Sequence, residues 1–550
     1  MAIISKTIIA FIFIIYLLAL VESQSQPQSQ PESQSQSQPQ PESQSQSQPQ
    51  SKSQPQSQPQ SQYDCPSSTR ISSDEAPQTY IVQLNSADNK DSHLAMMNSC
   101  YNKKADNSLN VQSSDPNTIK DVSFGDFIAY IANLHPSQAD SLSNRSEVKT
   151  VEPNSEFSMN SPYHYNYHDN YINYHYDYPN NKKNHYNPDN KNHYNYPDNK
   201  NHPDNKNHPD NKNHPDNHNK YNYHNHVTKT TMTHPTYTLT PPHTHCHGFK
   251  TQKSAPFNLD RIDQAKFPLD GEYIYPKSSG SGVNVYIVDS GIKTDHVEFG
   301  KRASNSTQPF CSECTANIDD NGHGTHVAGI VGGITWGVAK LVRLISIKVL
   351  NSRGSGSFAS VLAGISYIAS QHTNSTHKNT VVSLAFSGRR VQAVNDAVKA
   401  LTDMGIHVVV AAGNFGADAC NFSPASEPSA VCVGATEDTS DAITDFSNVG
   451  PCVNIFAPGR NIMSAGIASK NSTDVRFGTS QATSHVTGTI ALIIAKNGNL
   501  SPAQMKEVLD NLATPDIIPV DTLKQSPNRF LRIPKCTHPK EDKKDYHNYF

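Results

Sequence analysis

A parallel β-sheet with helices on both faces, an α/β fold, is what the C-terminal half of this chain predicts, and two observations carry it. Apolar, β-branched runs bounded by turn residues read as buried strands, and they alternate along the chain with helix-length segments. The run Val283-Asn284-Val285-Tyr286-Ile287-Val288 follows a glycine and ends in Asp289-Ser290-Gly291, as a buried strand would. A helix is expected from His323, a strand over 341–350, a helix over 358–369 and a strand over 380–384. A helix over 391–402 and a strand ending at Ala412 complete the alternation, and the apolar run 490–495 drives a last helix into the core. Roughly 240 residues of this kind can bury a sizeable core.

Chemistry-bearing residues sit at the ends of these elements. Gly478-Thr479-Ser480-Gln481-Ala482 is a small-residue turn delivering a serine into a helix, which exposes the hydroxyl and aims backbone N–H groups at one point. Alone it would read as a helix N-cap. Asp289 ends a strand, where an acid can face a cleft. Asp320-Asn321-Gly322-His323-Gly324-Thr325-His326-Val327-Ala328-Gly329 supplies a histidine at a glycine-rich helix start. A zinc-protease helix sets its two histidines four apart with a glutamate between, whereas here the spacing is three with no acid.

Asp289, His323 and Ser480 follow one another in the order Asp, His, Ser, which is the order in subtilisin, one of the handful of systems by which triad geometry is taught. From about Ala255 to Lys496 the chain resembles the subtilisin-like serine proteases, and within them the proteinase K-like branch. Ala255-Pro256-Phe257-Asn258-Leu259-Asp260-Arg261-Ile262 resembles the mature start of that branch, and Asn421-Phe422-Ser423-Pro424-Ala425-Ser426-Glu427-Pro428-Ser429 is characteristic of it. The resemblance implies that His323 takes the proton of Ser480 and that Asp289 holds the imidazole. It also places the oxyanion-hole amide at Asn414, after the strand-like run 406–412, beside the Ser480 backbone N–H.

The same resemblance implies a substrate clamp built from Gly354, Ser355, Gly356 and Phe358 on one side. On the other stand Ser383, Leu384, Ala385, Phe386, Ser387 and Gly388, with Ala411, Ala412 and Gly413 behind. Family members add an extended peptide to such an edge. Phe386 and Ser387 replace leucine and glycine of the usual pattern, so a side chain at 387 narrows the cleft. Phe358 is expected in the pocket for the fourth residue before the cut, with core packing as the alternative. Gln481, Ser484 and Thr487 stand where the family has methionine, proline and alanine. The chemistry needs no cofactor. A structural calcium site of the proteinase K kind would use carbonyls near Pro428 and Ala430, but Asn454 replaces its aspartate, which weakens the affinity.

The remaining residues frame this domain. Residues 1–22 read as a signal peptide with Lys6 before an apolar core, an uncleaved anchor being the alternative. Residues 23–77 are a Ser/Gln/Pro-rich segment too poor in apolar groups to fold. Residues 78–158, with strand-like 79–84 and 148–153 around an apolar-rich 124–134, resemble the subtilisin propeptide, a small α+β domain that inhibits its own protease. Residues 159–254 are a Tyr/His/Asn-rich insertion with a repeated Asp-Asn-Lys-Asn-His-Pro hexad, read as a disordered spacer or a transition-metal tract around His243-Thr244-His245-Cys246-His247. The family has no such insertion, which leaves the maturation cut near Phe157, before Ala255, or at both. The protease domain is expected over 255–535 and a polar tail over 536–550.

Nine cysteines, six of them from Cys311 to Cys536, suggest up to three disulfides in an oxidising compartment; Cys311-Ser312-Glu313-Cys314 as half a zinc site lacks a second half. Glycosylation acceptors at Asn144, Asn305, Asn374, Asn421 and Asn471 agree with secretion to the exterior or the cell surface. With 45 Lys and Arg against 49 Asp and Glu, the net charge of −4 offers no basic face for nucleic acid. Nothing after the first segment is apolar enough for stable membrane insertion. The expected protein is a monomeric, secreted zymogen of broad specificity, acting on proteins or peptides and held by its own propeptide. A catalytically silent surface or wall protein, binding metal or polymer through its His/Tyr tracts, is the rival.

Overall fold

The computed structural model describes residues 76–102, 119–159 and 247–535, apart from 312 and 315. The expected signal peptide, nearly all of the Ser/Gln/Pro-rich segment and of the Tyr/His/Asn-rich insertion, and the polar tail lie outside the described residues.

The N-terminal domain follows from strands that alternate their faces. Its antiparallel sheet runs in the order Lys120–Asp121, Ala129–Leu134, Gln78–Leu84, Val148–Pro153. Tyr80, Val82 and Leu84 turn to one face, where the helices Lys90–Asn102 and Pro136–Ser143 cover them with Met96, Met97, Ala139 and Leu142. Ile81, Ala129 and Ile131 turn to the other face and join the core of the following domain. The domain therefore folds with one face and docks with the other.

That following domain is built on a nine-stranded sheet. Its order is Thr514–Pro515, Arg529–Phe530, Ile455–Pro458, Val431–Thr436, His407–Ala411, Thr380–Leu384, Asn284–Asp289, Arg343–Lys348, Ala303–Asn305. All neighbours pair in parallel except the first two. Both faces are covered, so the strands read as continuous apolar runs. Tyr286, Val288, Val382, Leu384, Val408 and Val410 face the helices Phe358–Asn374 and Gln392–Asp403. Val285, Ile287, Val381 and Val409 face the helix Thr479–Asn497 through Ala482, Val486, Ile490 and Ile493. That last helix is buried on every side, and the hydroxyls of Thr483, Ser484, Thr487 and Thr489 each donate to the carbonyl four residues back. Four hydroxyls of a buried helix are thereby satisfied internally, including those of two of the family departures, Ser484 and Thr487.

The two domains meet along the edge that opens onto Asp289. The carboxylate of Glu152 accepts from the N–H groups of Gln392 at 2.9 Å and Ala393 at 2.8 Å, capping that helix, and Asn154 Oδ1 accepts from the Ala359 N–H at 2.9 Å on the neighbouring one. Lys149 pairs with Asp396 at 2.8 Å. An acid at a helix N-terminus meets unsatisfied donors and the positive end of the dipole.

The boundary expected at 254/255 falls inside folded chain. Phe249–Lys253 is a strand paired antiparallel with Glu272–Pro276, and Ala255 N–H donates to Gly271 O at 3.0 Å. Its exposed polar residues hid the strand within the insertion, since an edge ribbon needs little apolar character. Disulfides join Cys311 to Cys314 and Cys420 to Cys452, with Cα atoms 5.4 and 5.3 Å apart. Cys432 is buried as a free thiol on a central strand, so the six C-terminal cysteines do not form three pairs.

In the Ser480→Ala chain, Glu152→Ala should lower the unfolding free energy by about 1–2 kcal/mol, the usual scale of a lost helix cap. An unchanged denaturant midpoint would mean that the interdomain cap contributes nothing.

Candidate active site

Asp289 ends a fully buried central strand, and the His323–Gly332 helix starts directly over it. His323 Nδ1 lies 2.9 Å from both Asp289 carboxylate oxygens. This approach requires glycine at 324, because a Cβ there would stand 2.1 Å from Gly291 O and 3.1 Å from Asp289 Cβ. A buried carboxylate that the sequence did not single out shapes the turn. Asp319 Oδ1 accepts from Ser290 Oγ and from the Asn321 and Gly322 N–H groups, while Oδ2 accepts from Thr325 N–H and Oγ1. Lys348, fully buried on the adjacent strand, donates to Ser290 O at 2.6 Å and Asp320 Oδ1 at 2.7 Å. The Asp319-Asp320-Asn321-Gly322 composition signals a turn, and of the five hydrogen bonds that Asp319 accepts, four are local while the one from Ser290 ties the turn to the loop after Asp289.

Ser480 enters at the first turn of its helix, after Gly478 at φ 146°. Its hydroxyl donates to the Ala385 carbonyl at 2.6 Å. Asn414 follows the His407–Ala411 strand, and its Oδ1 accepts from Thr479 N–H at 2.8 Å and Thr479 Oγ1 at 2.9 Å. With the oxygen committed to Thr479, the amide orientation is set, and Nδ2 is the donor of the pair. Thr479 is thus a positioning residue that the Gly-Thr-Ser motif contained without declaring its partner.

One cavity gathers Ala385, Phe386, Ser387, Ala411, Gly413, Asn414, Thr479 and Ser480, with Met159 of the N-terminal domain at its mouth. Ser383, Leu384 and Ala412, expected in the clamp, lie buried in the sheet core and do not line it. The strand Glu156–Ser158 pairs antiparallel with Ser355–Ser357, with Phe157 opposite Gly356, and Met159 N–H donates to Gly354 O at 3.0 Å. Phe157 stacks on Phe358 at 5.1 Å and on Phe386 at 4.7 Å between ring centroids. Gly388 closes that niche, since a Cβ there would stand 2.7 Å from Phe358 Cζ and 3.1 Å from Phe157 Cβ. Phe358 is buried and its ring forms the wall that Phe157 covers.

The histidines and cation sites separate into structural roles. His326 Nε2 contacts the Ile462 carbonyl at 2.9 Å, and burial pushes its pKa down to about 3. His485 contacts Gln481 O and Asn258 Nδ2, both at 2.8 Å, and burial pushes it to about 4. Among the described residues no cluster of three or more His, Cys, Asp and Glu side chains is placed to hold a metal. The calcium carbonyls implied by the family resemblance do not fit that ion here. Lys506 Nζ donates to Pro428 O at 2.6 Å and Ala430 O at 3.0 Å, and Asn454 Oδ1 accepts from Cys432 N–H at 2.8 Å. A calcium ion would have to enter against a fixed ammonium.

The model of the subtilase family matches residues 280–533, and that of the peptidase inhibitor I9 family matches residues 79–160. An extracellular serine proteinase of Thermus sp. is 42% identical over 287 residues, covering 52% of this chain and 68% of that protein. A subtilisin-like serine protease of Rhodotorula mucilaginosa is 38% identical over 301 residues, covering 50% of this chain and 86% of its own. The crystal structure of a cold adapted subtilisin-like serine proteinase is 38% identical and aligns at a TM-score of 0.48 over 51% of this chain and 98% of that one. The chain spans 48% of the length of a matched alkaline serine exoprotease of Vibrio alginolyticus. This chain belongs to the subtilase family, as a subtilisin-like serine endopeptidase with an inhibitor I9 propeptide before it.

Two outcomes follow for stability. Chelation with EDTA should leave the thermal midpoint of the Ser480→Ala chain unchanged, whereas Lys506→Met should lower stability by about 1–3 kcal/mol through two lost charged hydrogen bonds; a midpoint that falls on chelation would contradict the lysine's role. His326 resists protonation in the folded state while the unfolded chain takes its proton below about pH 6.5, so stability is lost as pH falls from about 6.5 toward about 3. The drop in denaturant midpoint between pH 7 and pH 4.5 should accordingly be smaller in His326→Gln than in its parent.

Proposed function

We propose that the chain is a secreted zymogen whose Asp289, His323 and Ser480 hydrolyse peptide bonds in proteins, with Asn414 and the Ser480 N–H stabilising the oxyanion. The reading is supported by the pairing of His323 with Asp289 at 2.9 Å, by a cavity lined by both Ser480 and Asn414, and by the strand Glu156–Ser158 seated on Ser355–Ser357. Asp289 holds Nδ1 protonated, which leaves Nε2 as the base. Ser480 must rotate its hydroxyl from Ala385 O to Nε2 as a substrate arrives, for a hydroxyl that donates to a carbonyl is not yet deprotonated by an imidazole. Attack on the substrate carbonyl then sends the proton to His323, which returns it to the leaving amine. Water repeats the sequence on the acyl-enzyme.

Inhibition by the propeptide rests on the same cleft. Glu156–Ser158 takes the edge that a substrate strand would take, and Phe157 fills the aromatic niche. Passage through an oxidising secretory route is supported by the disulfides Cys311–Cys314 and Cys420–Cys452 and by the exposure of Asn144, Asn305, Asn374, Asn421 and Asn471. Among the described residues no helix is long and apolar enough to cross a membrane. Action as a monomer on protein substrates completes the reading.

A fluorophosphonate should label the processed wild-type protein and not Ser480→Ala, and Asn414→Ala should lower kcat by about 100- to 1000-fold with little change in KM. A processed wild-type protein that takes up no label would end the enzymatic reading of Ser480.

A further inference from the structure

We propose that Glu313, carried by the Cys311–Cys314 disulfide ring, is a positioning residue that sets the affinity of the cleft for extended peptides, and that opening the ring with a dithiol weakens that affinity. This rests on reading Ser480 as the nucleophile and concerns the edge that leads to it. Ser355–Ser357 is that edge, since it pairs with Glu156–Ser158, and Gly354 O accepts from Met159 N–H at 3.0 Å.

The edge is entered through a turn closed on one side chain. Asn351 N–H donates to Ser355 O at 2.9 Å, and Asn351 Oδ1 accepts from Ser355 N–H at 3.1 Å and from Arg353 N–H at 3.0 Å. Gly354 N–H donates to Asn351 O at 2.9 Å. Rotating the Asn351 amide would release Ser355, the first residue of the edge. Its orientation is fixed from outside the turn, because Asn351 Nδ2 donates to Glu313 Oε2 at 2.7 Å. Asn351 is 9% exposed, and a bond from such an amide to a charged acceptor is about twice as strong as one between neutral groups. The same carboxylate oxygen accepts from Arg353 Nη2 at 2.9 Å, but with side chains 56% and 72% exposed that ion pair contributes little. Asn351 is therefore the partner through which Glu313 acts.

Glu313 itself stands on an exposed loop, where holding one long side chain in place costs entropy. The disulfide removes part of that freedom beforehand. It joins residues three apart, Cys314 N–H donates to Cys311 O at 3.2 Å, and Cys314 Sγ lies 3.6 Å from the Leu350 carbonyl oxygen, next to Asn351. Cys311 is buried and Phe310 N–H donates to Lys348 O at 2.8 Å, which anchors the ring to the sheet on its N-terminal side. On its C-terminal side the chain returns over the same turn. There Asn321 Nδ2 donates to Ser352 O at 3.1 Å, while Asn321 Oδ1 accepts from His323 N–H at 3.2 Å. Loss of Glu313 leaves that link to His323 intact, so the defect falls on peptide binding and not on turnover.

Opening the ring is a two-electron reduction. A dithiol gives two electrons and two protons, the Cys311–Cys314 bond becomes two thiols, and the reagent closes as its own disulfide. On the processed enzyme, Glu313→Ala should raise KM for an N-capped tetraalanine p-nitroanilide about 3- to 10-fold, the scale of one net hydrogen bond, with kcat within about twofold. The p-nitrophenyl ester of N-acetylalanine, too short to reach the edge, should be hydrolysed as by wild type, and Glu313→Gln, which keeps an acceptor oxygen, should restore the peptide KM. Dithiothreitol should raise the wild-type KM. The double variant Cys311→Ser, Cys314→Ser should carry the raised KM already and respond no further, which sets the Cys420–Cys452 bond aside. Equal peptide KM in Glu313→Ala and wild type, equal losses on peptide and ester, or a dithiothreitol effect that persists in the double variant would overturn the proposal while leaving the protease reading intact. A wild type that takes no fluorophosphonate and hydrolyses neither probe would instead bring down the reading of Ser480. Positioning is then read without turnover in the Ser480→Ala chain, where Glu313→Ala should speed amide hydrogen exchange over 351–357 and unchanged exchange would overturn it.

Discussion

Burial of the Ser480 helix against the parallel sheet is the constraint on which the cleft depends. Sixteen consecutive residues, Thr479 to Ile494, are buried, and the helix touches the strands that deliver Asn414 and the Ala385 segment. Because the interior is close-packed, a shift of this helix would be felt at Thr479, and through Thr479 at Asn414. Placement of Ser480 and of Asn414 is therefore one packing problem. Threonine and serine side chains that return their hydroxyls to carbonyls four residues back let a sequence rich in polar groups fill an apolar site.

A second constraint comes from the parallel topology. Strands that run in one direction bring their C-terminal ends to one edge, and that is where Asp289 and Asn414 stand, although 125 positions separate them in sequence. The His323 helix crosses the end of the Asp289 strand at a glycine contact too close for any side chain at 324. Asp319 and Lys348 then fill the space behind the acid with charge-assisted hydrogen bonds, fixing the loop that carries it. The N-terminal domain uses the same edge, capping two helices with Glu152 and Asn154 before its chain enters the cleft.

Where the ion in this fold's relatives would be expected, the chain offers its own cation. Lys506 reaches from a helix to two carbonyls, and the ammonium loses much of its hydration there, which lowers its pKa. The replacement of a carboxylate by Asn454 fits such an arrangement, because its amide oxygen serves a backbone N–H and leaves no anion to attract a metal.

The amino-acid sequence by itself determined the elements and the family. Period, β-branching and glycine punctuation located Thr380–Leu384 to the residue and the neighbouring helices to within a few residues, since these are local properties of the chain. The order Asp, His, Ser with an asparagine after a buried strand pointed to Asp289 and His323, which pair at 2.9 Å, and to Ser480 and Asn414, which line one cavity. Contacts between distant segments were decided only by the tertiary structure. Phe157 between Phe358 and Phe386, Thr479 on Asn414, Lys506 on Pro428 and Ala430, the buried thiol of Cys432 and the edge strand Phe249–Lys253 each depend on a partner that no local pattern encodes. A side chain's chemistry is written in its own letter, but whether it meets substrate, backbone or another side chain is set by which surfaces the packed sheet brings within a few ångströms.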